Sequence, residues 1–85
     1  MADQKTVLRL LKTARGQIDG IIKMVEEDRY CMDISQQVAA AGAMLRRANR
    51  DILTAHLKRC VEHAGSDAER AEKIDELVKA LEKIL

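Results

Sequence analysis

Between Cys31 and Cys60 the chain contains no Pro and a single Gly, Gly42, so nothing in that stretch forces a helix to stop. Apolar residues recur at Ile34, Val38, Ala41, Leu45, Ala48 and Ile52, in alternating steps of four and three. That spacing is one face of an amphipathic helix, close to a heptad seam. Soft metal ligands stand at both ends, Cys31 at the start and His56 with Cys60 at the finish. At about 100° per residue the three project within roughly 40° of one another and border the seam. Along the axis, however, Cys31 and His56 are about 37 Å apart at ~1.5 Å per residue. One continuous helix cannot bring them together, but an antiparallel copy can. A two-fold axis near Met44 and Leu45 sets Cys31 of one copy beside His56 and Cys60 of the other, and symmetry makes a second such site. The small residues Ala39, Ala40, Ala41, Gly42 and Ala43 lie near that axis, where they let two helices approach.

Length restricts the alternatives. Eighty-five residues make one domain, residues 1–85. A chain this short buries a limited share of its surface alone, and oligomerisation enlarges the core. Tyr30 is the only aromatic residue, so Ala, Leu, Ile, Val and Met must fill the interior. Without Pro, and rich in Ala, Leu, Glu, Lys and Arg, the composition favours an all-α protein. The expected elements are three helices over about 4–27, 31–63 and 67–85. The first carries a stripe of Val7, Leu11, Ala14, Ile18, Ile21 and Val25, with Asp3 as N-cap. Gly16 and Gly20 weaken it and permit close contact with a neighbouring helix. Glu26, Glu27, Asp28 and Arg29 form the turn before the second helix. Gly65 has the position of a left-handed residue ending that helix. Ser66 and Glu69 then form a capping box for the third, whose stripe is Ala71, Ile74, Leu77 with Val78, Leu81 and Ile84.

The formal charge of +1 conceals an asymmetry. Residues 1–60 hold eleven Lys and Arg against seven Asp and Glu, while residues 61–85 hold four against seven. Lys5, Arg9, Lys12 and Lys23 lie opposite the first helix's stripe, with Arg15 on its flank. Arg46, Arg47 and Arg50 fall within roughly 100° of each other on the second helix, away from the seam. Such a surface can neutralise phosphates, although cations at helical spacing also serve as a plain solvated face. No helix-turn-helix is evident. The N-terminal residues Met1 to Lys5 are polar, and no apolar run approaches the ~18 residues of a membrane span, so a reducing cytoplasmic setting is expected. A Gly-rich phosphate loop and a Ser/His/Asp grouping are both missing, and no enzyme is expected.

Two thiols and an imidazole form a soft set that selects Cu(I) and also suits Zn. Zn calls for a fourth ligand, and His63 lies about 10 Å along the axis from His56. Ni(II) prefers a four-coordinate set, for which the N-terminus offers no His. The same residues are also compatible with two cysteines and a histidine that merely fill a helix interface.

At these positions the sequence resembles the copper-sensing operon repressor (CsoR) family, which includes the RcnR, FrmR and CstR branches. The resemblance rests on Arg15-Gly16-Gln17-Ile18-Asp19-Gly20-Ile21, Tyr30-Cys31-Met32-Asp33-Ile34, Leu45-Arg46-Arg47-Ala48-Asn49-Arg50 and His56-Leu57-Lys58-Arg59-Cys60. It implies an all-helical antiparallel dimer that pairs into a tetramer. It also implies a DNA-binding repressor whose operator affinity falls when inducer binds. The Cu(I) ligands of the copper branch map onto Cys31, His56 and Cys60, one ion per chain. Its outer Tyr and Glu map onto Tyr30 and Glu76, groups proposed to meet the second nitrogen of His56 and couple the metal to conformation. On the helix-three wheel Glu76 falls off the apolar stripe. For the DNA surface, Arg9, Lys12, Arg15, Arg46, Arg47 and Arg50 are the candidates. The nickel/cobalt branch adds an N-terminal His and replaces the second thiol with His. The formaldehyde branch has a proline at position two and lacks the second thiol. The persulfide branch lacks the histidine. His56 and Cys60 therefore favour copper, with a nickel sensor of the same trio, a thiol-redox or persulfide sensor, and a metal-storage protein as alternatives.

Overall fold

The computed structural model describes the backbone of residues 4–63 and 65–84, with the side chains of all of these except 60, 61 and 84. Three helices run in order, α1 (Gln4–Glu26), α2 (Cys31–His63) and α3 (Asp67–Ile84). Among the described residues there is no strand. The expected Asp3 cap lies outside the described residues.

The α1–α2 turn is built by hydrogen bonds that the end of α1 leaves open. Arg29 N–H donates to the Met24 carbonyl at 3.0 Å, and Asp28 N–H donates to that of Val25 at 3.1 Å. This is a Schellman closure, with Asp28 at φ 53° in the left-handed position where Gly is commonest. The Tyr30 carbonyl then accepts from the N–H groups of Asp33 and Ile34, which makes Tyr30 the N-cap residue of α2. At the next junction, Ser66 Oγ accepts from Glu69 N–H at 3.1 Å, as the capping box predicts. The reciprocal bond falls one residue early, since Glu69 Oε2 accepts from Gly65 N–H at 3.0 Å. No glycine takes a positive φ among the described residues. The expected left-handed role of Gly65 is thus corrected: its N–H is already held by the Glu69 carboxylate.

Short connections make both helix pairs antiparallel. α1 and α3 each pack on α2 and do not touch one another among the described residues. The molecule is accordingly a flat layer of helices, with extents of 56 × 25 × 13 Å. Its radius of gyration is 17.2 Å, against roughly 12 Å for a compact domain of this length. Its accessible surface is 6521 Å², against roughly 5,000 Å² for a compact monomer of this mass.

The core explains the excess. Buried side chains are Val7, Leu10, Ala14, Ala41, Ala48, Ala55 and Leu77. Ala41, Ala48 and Ala55 recur every seven residues and let α1 sit close on α2. On α1 the side toward α2 is Val7, Leu10 and Ala14, continued by half-buried Gln17, Ile21 and Met24. The apolar stripe expected as one face is therefore divided. Leu11, Ile18 and Val25 turn away and stay exposed, with Leu8 and Ile22 beside them. α2 divides in the same way: Val38 (53% exposed), Leu45 (44%) and Ile52 (37%) remain open while the alanines are covered. The open stripes are rotated from the α1–α2 contact by roughly 60° on α2 and roughly 90° on α1 at 100° per residue, and the antiparallel arrangement turns them to the same side. On α3, Leu77 is buried and Leu81 half-buried, whereas Ile74 and Val78 are exposed. Nothing within the chain comes within 4 Å of a Cβ built on Gly16 or Gly20, so the close helix contact expected there is not made by the described residues.

Candidate metal centre and nucleic-acid interface

Cys31 is the first residue of α2 and exposed, immediately after the exposed Tyr30. His56 is exposed near the other end of the same helix. α2 is continuous from Cys31 to His63, so the ~37 Å axial separation expected from helical rise stands. The Cys60 backbone is in α2, but its side chain lies outside the described residues. Among the described residues of one chain, no three His, Cys, Asp or Glu side chains converge. His56 borders a hollow of about 150 Å³ lined also by Ile52, Ala55 and Arg59. Cys31 and His56 both belong to the open stripe of Val38, Leu45 and Ile52, within ~40° of it by helical rotation. The donor chemistry fits a soft ion: a thiol and an imidazole stand accessible on one face, at opposite ends.

Glu76 is exposed on α3 and pairs with Lys73 Nζ at 3.7 Å. With Leu77 and Leu81 against α2, helical rotation turns Glu76 about 90° from that contact, toward the side on which His56 lies. Leaving the apolar stripe is what gives it this direction. The ion pair with Lys73 is solvent-exposed and worth at most ~1 kcal/mol, so it is readily exchanged.

The six candidate DNA-facing cations are all exposed, and the structure distributes them over separate places. Arg9 and Lys12 line a groove on α1 with Lys5, Leu8 and Thr13. Lys5 shares this face, at a spacing of four from Arg9 that the sequence itself displays. Thr13 Oγ donates to the Arg9 carbonyl at 2.9 Å. Arg50 borders a second hollow, between α2 and α3, with Leu53, Thr54, Leu57, Leu77 and Leu81. Arg46 departs from the other two arginines of α2. Its guanidinium folds back over Gly42, with Nη1 3.3 Å from where a Cβ on that residue would sit. This places it at the edge of the open apolar stripe. No helix among the described residues is long and apolar enough to cross a membrane.

Comparison with known proteins identifies the family. Residues 3–83 match the family described as metal-sensitive transcriptional repressor. A copper-sensing transcriptional repressor CsoR of Mycobacterium ulcerans is 45% identical over 78 residues, covering 92% of this chain and 67% of that protein. The CsoR of Bacillus subtilis is 33% identical over 81 residues, covering 95% of this chain and 80% of that protein. Among solved structures, the copper-sensing repressor CsoR with Cu(I) from Geobacillus thermodenitrificans superposes with a TM-score of 0.81 at 31% identity, covering 98% of this chain and 86% of that one. The nickel-responsive transcriptional regulator InrS superposes at 0.78 with 33% identity, covering 100% of this chain and 94% of that one. A three-helix fold, a family match over nearly its whole length and these relatives establish that the chain belongs to the metal-sensitive transcriptional repressors, a family of regulators rather than enzymes that includes the CsoR proteins.

Proposed function

We propose that this chain is a Cu(I)-responsive repressor, holding double-stranded operator DNA when its metal site is empty and releasing it when Cu(I) is bound. The observation that carries the reading is the continuity of α2. Cys31 and His56 share one open face but lie too far apart to meet within a chain. Cys31 of one copy, with His56 and Cys60 of another, makes a two-thiol, one-imidazole set that is complete only in an antiparallel dimer. One Cu(I) per chain follows, and two such dimers form the tetramer. The flat layer and its surplus surface support a covering copy. The two thiolates and the imidazole would hold Cu(I) there, and the bound ion would tie the two helices together. The imidazole nitrogen not facing the ion is left to Tyr30 and Glu76, whose contacts with it orient the ring. Arg9, Lys12, Arg15, Arg46, Arg47 and Arg50 are the cations proposed for DNA phosphates, with Lys5 added by the α1 groove. Coupling of about 1–3 kcal/mol between the two sites is enough to lower operator affinity by roughly 5- to 150-fold.

The test is an anaerobic titration of reduced protein with Cu(I) against a competing chelator, read together with the anisotropy of labelled promoter DNA. One Cu(I) bound per chain, with DNA released over the same range, is the expected result. DNA retained by the Cu(I)-loaded protein would reject the reading. The superposition on a nickel-responsive regulator supports Ni(II) as the second inducer to titrate.

A further inference from the structure

The open stripe of α2 is not uniformly apolar. Asn49 stands half-buried between the exposed Leu45 and Ile52. Among the described residues its carboxamide makes no hydrogen bond within the chain. An amide covered by a second apolar face without a partner is costly. A partner is available by simple counting. In an antiparallel pair of identical helices, residues whose numbers have the same sum lie level with one another. Cys31 with Cys60 and Gly42 with Asn49 both sum to 91. The register that joins the thiols therefore also sets Asn49 against Gly42 of the other copy. There the Arg46 guanidinium lies folded over the bare Cα, 3.3 Å from the missing Cβ. Gly42 supplies the space, Arg46 the donors and Asn49 the acceptor.

We propose that Arg46, laid over Gly42, donates to the Asn49 side-chain oxygen of a second copy, and that this pair fixes the register of the antiparallel α2 helices. The inference rests on the dimer reading above and goes beyond it, because apolar contacts alone do not choose the register. Val38, Leu45 and Ile52 repeat every seven residues. Sliding one helix by a heptad restores apolar contact and separates Cys31 from Cys60 by about 10 Å. The same slide moves Asn49 off Gly42 and away from the guanidinium folded there, setting it level with Ser35 of the other copy in one direction and with Asn49 of the other copy in the other. A polar pair in an apolar seam selects register in coiled coils, and here only the register that joins the thiols sets the charged guanidinium against the Asn49 oxygen. Symmetry places the pair twice, once on each side of the Leu45 layer. Arg46 is then a residue of the subunit interface as well as a neighbour of the basic face.

Disulfide trapping tests the register without metal or DNA. The reduced protein is treated with diamide, which takes two electrons and two protons from a pair of thiols as the disulfide forms. Tryptic peptides carrying Cys31 and Cys60 are distinct, so mass spectrometry identifies which cysteines are joined. Wild type is expected to give the Cys31–Cys60 inter-chain link. Its absence would reject the antiparallel pairing itself, and the register device with it. With that link present, Asn49→Leu is expected to reduce its fraction by about threefold or more while the chain remains helical and associated, as registers mix. Asn49→Asp keeps an acceptor for Arg46 and is expected to retain the link. Arg46→Leu, at an exposed position, reports on the pair from its other side and is expected to lose the link as Asn49→Leu does. Wild-type link fractions in Asn49→Leu and Arg46→Leu, or a loss in Asn49→Asp equal to that in Asn49→Leu, would overturn the proposal while leaving the dimer standing.

Discussion

Leu45→Ala is the sharpest probe of whether the exposed stripe of α2 is covered by another copy. Leu45 is 44% exposed in the chain and level with the proposed two-fold axis, so it meets its own counterpart. Burying a whole Leu side chain is worth about 1.5–3 kcal/mol. The exposed share comes to about 0.7–1.3 kcal/mol per copy by the same scale, and one substitution removes it from both copies. The expected loss is about 2 kcal/mol per dimer once imperfect repacking is included. That corresponds to a dimer dissociation constant raised by roughly 30-fold, at about 1.4 kcal/mol per factor of ten. Sedimentation equilibrium at a series of concentrations measures it. Far-UV circular dichroism at high concentration should show the helices unchanged, because the α1–α2 contact uses Ala41, Ala48 and Ala55 rather than Leu45. Cu(I) affinity should fall with the dimer. An unchanged dissociation constant, or a weaker dimer with intact Cu(I) affinity, would refute the argument that the stripe and the metal site are closed by the same pairing.

Three further outcomes are expected. His56→Ala should keep part of the Cu(I) affinity through the two thiols yet release operator DNA poorly, read by anisotropy during Cu(I) titration; copper-driven release equal to wild type would remove His56 from the coupling. Gly20→Ala should raise stability by up to ~1 kcal/mol in thermal unfolding, since a Cβ there meets nothing within the chain; a destabilised protein would indicate that another copy packs on that face. Asp28→Gly should stabilise by about 0.5–1 kcal/mol by relieving the left-handed backbone at φ 53°, and an unchanged denaturant midpoint would show that the turn holds no strain.

The helix boundaries were legible because they depend on local chemistry. α2 runs from Cys31 to His63 as expected, since no Pro interrupts it and both neighbouring turns carry polar residues. The partition of each apolar stripe was not legible. Leu10 and Leu11 are equally apolar, and only the placement of α2 decides that the first is buried and the second exposed. A helix that serves two apolar contacts roughly 60–90° apart reads, in one dimension, as a single broad stripe. The caps show a second limit. Gly65 follows a helix and suggests a left-handed end, but Glu69 holds its N–H, and among the described residues the left-handed one is Asp28. For the candidate centre, the separation of Cys31 from His56 followed from helical rise alone. The fold of Arg46 over Gly42 did not, because it is a choice among side-chain rotamers that sequence periodicity does not encode.

The alanine-lined contact between α1 and α2 carries a consequence for the amount of protein a cell must keep. Alanine side chains bury little hydrocarbon, and a layer 13 Å thick has no second layer to add to it. Stability must then come largely from association, which obeys mass action. The melting temperature should climb with the logarithm of protein concentration. Newly made chains should remain open to proteases until they meet another copy. A regulator built this way has a floor on its abundance: below it the fold itself is lost, before the question of ligand arises.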